Sequence, residues 1–157
     1  MNSPLKALVL LISCLGVTAH AHDWAPSQAL LDGVRHIESA DGRYIVGDHG
    51  QSLGEYQLSE AAWLDVSSWR KSRGWAVHPY EDHVWNPKVS RAYAAGYLRI
   101  LHARLESTLK RCPTSAEIYA AYNMGFASFA RCQYRLAQAN STTAKKSLEL
   151  QAKVADR

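Results

Sequence analysis

Glu38 is the acid whose surroundings suit it best to chemistry. It closes an amphipathic run with Leu30, Leu31, Val34 and Ile37 at helical spacing, and Asp41-Gly42 follows as a turn. A carboxyl group at a helix end, sheltered by Ile37 and facing a glycine-rich segment, is placed for general-acid work. By type alone most such glutamates are solvated, so the neighbouring motifs have to carry the argument. Asp48 is the second carboxylate, inside Gly47-Asp48-His49-Gly50. It reads either as a partner acid or as a turn residue bonding nearby backbone N–H groups.

Three motifs follow in order: His36-Ile37-Glu38-Ser39, then Gly47 through Gly54-Glu55-Tyr56-Gln57-Leu58, then Ala121-Tyr122-Asn123-Met124-Gly125. Together they resemble the lytic transglycosylase branch of the lysozyme-like superfamily over residues 27–132. The resemblance implies a peptidoglycan-cleaving enzyme that breaks the β-1,4 bond between N-acetylmuramic acid and N-acetylglucosamine, without a cofactor. It makes Glu38 the essential acid and Ser39 its helper. Gly54, Tyr56 and Gln57 become groove residues, with Gly54 admitting sugar to the backbone, and Tyr122 and Asn123 face the acid across the cleft. From the residues alone, Gly54 is equally a turn glycine, Tyr122 a core aromatic and Asn123 a helix cap.

The sequence departs from that branch at Gly54-Glu55-Tyr56-Gln57, where Gly-Leu-Met-Gln is common. The Gly-Asp-x-Gly turn also resembles invertebrate-type lysozymes, which use a second acid at the position of Asp48 but are rich in cysteine. With one acid, Glu38 serves as acid and then base, and the product carries a 1,6-anhydro ring. With two acids, Asp48 takes part and water is consumed; a spacing of about 5 Å would suit retention and about 6.5–9.5 Å inversion.

The elements that must hold these residues are mostly helical. Ser27 caps the first helix and Ser59 a second through Trp63 and Val66. Between them, runs 43–46 and 55–58 read as a small β-hairpin after the first helix, giving a mainly α, α+β lysozyme-like fold. Residues 71–87 read as a long surface connection whose Trp75, Tyr80 and Trp85 are candidates for a groove wall. The clearest helix covers 88–110, with Tyr93, Tyr97, Leu101 and Leu105 on its stripe. Thr114 and Glu117 form a capping box for the next, and a last helical segment covers 126–139. The catalytic domain is expected over residues 22–140, with 141–157 a polar, helix-competent tail that frays.

Residues 1–21 read as an export signal: Lys6, an apolar core, and Ala19-His20-Ala21 as the cleavage site. The expected location is the periplasm or the exterior; lipidation at Cys14 is the alternative. The net charge of +4 is scattered, with no basic stripe, which argues against nucleic acid and suits an acidic envelope polymer. After cleavage two cysteines remain, Cys112 and Cys132, and an oxidising compartment would pair them, worth about 3 kcal/mol. No CxxC pair supports a structural metal, although an exposed His22 amino terminus is a possible copper ligand. A monomer acting on glycan strands is expected. A glycan-binding module without activity is the rival from another class, and service to a secretion or conjugation apparatus is a possible setting.

Overall fold

In a computed structural model, residues 24–155 are described; the export signal, Cys14 and His22 lie outside them. Among the described residues, seven helices and a three-stranded antiparallel sheet make a mainly α, α+β fold. Helix α1 spans Gln28–Ser39, and Ser27 Oγ accepts from Leu30 N at 3.1 Å to start it. Three two-residue strands follow: β1 Val46–Gly47, β2 Ser52–Leu53 and β3 Leu58–Ser59. Val46 pairs with Leu53 and Leu53 with Leu58, so the sheet order follows the chain. The hairpin foreseen between α1 and α2 is therefore a three-stranded meander. A 3-10 turn over Asp48–Gly50 joins its first two strands.

Helix α2 (Glu60–Lys71) starts on the Ser59 cap, and α3 is a single turn at Tyr80–His83 inside the long connection. Helix α4 (Pro87–Leu109) has Asn86 as its cap and Pro87 in its first turn, where a missing N–H costs nothing. Lys110 ends it in the left-handed region (φ 58). Helix α5 (Ser115–Met124) carries the complete Thr114–Glu117 capping box. The expected helical segment 126–139 is broken: α6 covers Phe126–Arg131, and a 3-10 turn at Leu136–Gln138 follows. Gln133 and Tyr134 take positive φ between them, which no α-helix accommodates.

The core runs between α2, α4 and α5. Trp63 stacks on Tyr93 with ring centroids 3.6 Å apart, and its indole N–H donates to His78 O at 2.7 Å. Tyr80 OH reaches back to Leu58 O at 2.7 Å, tying the connection to β3. Trp63 and Tyr80 thus satisfy their polar tips against backbone.

The C-terminal segment departs from expectation. Instead of a frayed tail, α7 spans Ser141–Ala155, capped by Asn140 Oδ1 on Thr143 N at 2.8 Å. It packs on α1 and α5, burying Thr143, Ser147 and Leu150. Its polar composition hid a narrow stripe at 143, 147 and 150, which is enough to dock a helix into a groove already formed. The structure shows no disulfide between Cys112 and Cys132, which the sequence reading pairs after export; both are free thiols here. Cys112, exposed beyond α4, has Sγ 3.7 Å from His102 Nε2, while half-buried Cys132 packs against the core at the end of α6.

Leu150 is fully buried against α1, so Leu150→Ala should lower stability by about 2–5 kcal/mol. Urea unfolding followed by circular dichroism measures this; a change under 0.5 kcal/mol would mean that α7 is not part of the cooperative unit.

Candidate active site

Helix α1 delivers Glu38 in its last turn, and the chain leaves at once through Ala40 (φ 50) and Asp41 (φ 61). Ser39 fixes that exit. Its hydroxyl donates to Arg35 O at 3.0 Å and accepts from Gly42 N at 2.9 Å, and the residue is buried. Ser39 therefore positions the acid's backbone from below; the cleft wall is made by others. A second clasp lies on the surface, where His36 Nδ1 and Asp41 Oδ2 meet at 2.8 Å. Hydrogen bonding to His36 pulls the Asp41 carboxyl below its ordinary range.

The Glu38 side chain is only 8% exposed and sits in a cleft of about 390 Å³. Its two oxygens have different surroundings. Oε1 accepts from Tyr119 OH, and from Asn123 Nδ2 at 3.3 Å. Oε2 accepts no hydrogen bond among the described residues and lies 3.9 Å from Lys146 Nζ. One oxygen is thus held by two donors, and the other, on a residue that lines the cleft, has a hydrogen bond to none of the described groups. The donors are themselves constrained: Thr143 Oγ1 donates to Asn123 Oδ1 at 2.7 Å, which turns the amide N–H₂ toward Glu38. Burial, reinforced by the Glu38 charge, pushes the Tyr119 hydroxyl far above its usual range, so it remains a donor at any working pH.

Gln57 and Asn123 line the cleft with Gly47, Ser52, Tyr97 and Tyr122. Gln57 adopts φ 47 and its amide donates to Gly54 O at 2.8 Å and Tyr44 O at 3.3 Å, bracing the meander. A Cβ on Gly47 would collide with Gln57 Oε1, so this glycine makes the close approach inside the cleft. Tyr122 shows an edge to the cleft, but its hydroxyl donates to Tyr56 O at 2.6 Å. It ties α5 to the β region, and burial raises its hydroxyl well above the ordinary range.

Other expected residues lie elsewhere. Tyr56 is fully buried in the core and does not line the cleft, with Arg91 Nη1 donating to its hydroxyl at 2.6 Å. Gly54 takes φ 74 and packs under the Val84 carbonyl, leaving no room for a sugar or a Cβ there. Glu55, where the sequence departs from the common motif, pairs with Arg35 at 2.7 and 3.1 Å and anchors the meander to α1. That hydrogen bond raises the Arg35 guanidinium above its ordinary range. Trp75, Tyr80 and Trp85 do not line the cleft: Trp75 packs edge-on to Trp69, and Tyr80 lies against Trp63. Asp48 is placed by its backbone in the 3-10 turn, and its side chain lies outside what is described.

Tyr119, Tyr97 and Lys146 were not singled out as site residues from sequence. Tyr119 was findable, since it stands four residues before Asn123 and so shares its helix face. Tyr97 looked like core on its stripe. Lys146 carried no signal, because one lysine in a Lys-containing polar helix is ordinary.

No protein-family model, curated protein or solved structure matches this chain. The geometry therefore stands alone.

Removing the Tyr119 hydroxyl leaves the inward oxygen of Glu38 short of its best donor. Tyr119→Phe should destabilise the fold by about 1–3 kcal/mol near neutral pH, read by thermal denaturation. An unchanged melting temperature would show that the Tyr119–Glu38 bond does not hold the carboxylate.

Proposed function

We propose that the chain is a peptidoglycan-cleaving enzyme acting as a lytic transglycosylase, with Glu38 as both acid and base. One observation carries this reading: a nearly buried carboxyl at the floor of an open cleft, one oxygen fixed by Tyr119 and Asn123, the other free of hydrogen bonds. A group used once as acid and once as base must present the same oxygen to two successive partners, and a carboxylate locked on one side does that without reorganising.

The sequence of steps is short. Glu38 gives its proton to the glycosidic oxygen between N-acetylmuramic acid and N-acetylglucosamine, and the C1–O bond breaks with its electron pair leaving on that oxygen. The carboxylate then takes the proton of the muramoyl 6-hydroxyl as its oxygen bonds to C1. Glu38 ends protonated, no water is consumed, and the product is a 1,6-anhydromuramoyl end. The Asn123 and Gln57 amides and the backbone of the meander supply polar walls suited to sugar hydroxyls. Such a polymer lies outside the cytoplasmic membrane, in keeping with the export signal read from residues 1–21.

Glu38→Gln keeps the shape and removes the transferable proton, so muropeptide release should fall by at least ~100-fold with the fold intact. Mass analysis of products from the wild-type chain decides the chemistry. Ends lighter by one water than hydrolysed ones support the transglycosylase. Reducing ends would point to hydrolysis with a second acid, and wild-type turnover in Glu38→Gln would remove the acid and the reading together.

A further inference from the structure

Lys146 is the one cation among the described residues that line the cleft, and it comes from α7. Its ammonium stands 3.9 Å from Glu38 Oε2, inside ion-pair range but beyond hydrogen-bond length. No other described group takes its protons. About a third of the side chain is exposed, and Lys146 lines the cleft. A lysine serving only to hold Glu38 would close to hydrogen-bond distance, as Tyr119 does on the other oxygen. Here the carboxylate is already held by Tyr119 and Asn123, which leaves the ammonium, as a lining group, available to whatever fills the cleft.

We infer that Lys146 reads a substrate carboxylate beside the scissile bond, making it a specificity residue for glycan with a free lactyl carboxyl. This rests on the proposed peptidoglycan reading. The lactyl ether of muramic acid is attached at C3, two ring bonds from the C1 whose bond to oxygen breaks. A cation next to the acid is therefore within reach of that substituent. The lactyl carboxyl is charged only where the peptide stem has been removed; with a stem attached it is a neutral amide. Charge-assisted bonds to a lysine distinguish these two states, whereas the amides of Asn123 and Gln57 do not. The cleft then favours strands already stripped of their stems, and the class of reaction that supplies its substrate is amide hydrolysis at the lactyl group.

The test uses stem-free glycan strands in two forms, native and with their lactyl carboxyls converted chemically to primary amides. Wild-type protein should show a kcat/KM at least about 10-fold higher on the native strands. Lys146→Gln should bring the ratio of the two close to one, and Lys146→Arg should keep it. Lys146→Met, which retains the apolar stem, replaces the glutamine variant if that one does not fold. A wild-type ratio near one, or a neutral variant that keeps the preference, overturns the role of Lys146 while leaving the transglycosylase reading intact. Cleavage of neither form by wild-type protein that releases muropeptides from stem-bearing peptidoglycan overturns the role of Lys146 alone. Cleavage of no glycan at all by folded protein overturns both.

Discussion

Keeping one carboxylate almost out of water is the constraint around which three helices are arranged. A carboxylate so placed is costly unless donors meet it, and none of its own neighbours in α1 supplies one. The donors come from α5, through Tyr119 and Asn123, and the nearest cation from α7. Asn123 works only because Thr143 orients its amide, so α7 contributes twice. If α1, α5 and α7 were not packed together, Glu38 would be an ordinary solvated acid at a helix end. The site and the packing of these helices are one structural unit.

The β meander has the opposite character. Its strands are two residues each, too short to be stable as a sheet alone. It is held by side chains reaching in from helices: Arg35 to Glu55, Arg91 to Tyr56, Tyr122 to the Tyr56 carbonyl and Tyr80 to the Leu58 carbonyl. The side of the cleft carrying Gly47 and Gln57 is thereby set by a rigid helical frame. Exposed Tyr44, Ile45 and Val46 lead along the chain into that edge. Such a division gives a nearly buried acid on one wall and, opposite, a polar wall braced by the helices.

Local chemistry was legible in the sequence wherever it depends on neighbours along the chain. The caps at Ser27, Ser59 and Thr114 with Glu117, and the end of α1 at Ser39, all follow from hydrogen bonds spanning a few residues. The mainly α class with a β insertion followed from periodicity, and Glu38, Gln57 and Asn123 do share one cleft.

Which atoms meet was decided by tertiary structure alone. Tyr56 and Gln57 are adjacent in sequence, yet one is core and the other cleft; both lie in the turn before β3, where Gln57 takes φ 47, so no strand periodicity assigns their faces. Tyr122 matched the motif, but Tyr119 one turn earlier reaches the acid, since the roll of α5 about its axis is set by packing on α4 and α7. Gly54 answers to Val84, thirty residues away in sequence, and Lys146 enters the site from a segment whose composition reads as solvent-exposed tail. Sequence spacing fixes the face a side chain shares with its helical neighbours. What that face meets depends on contacts between distant segments, and those exist only once the core has closed.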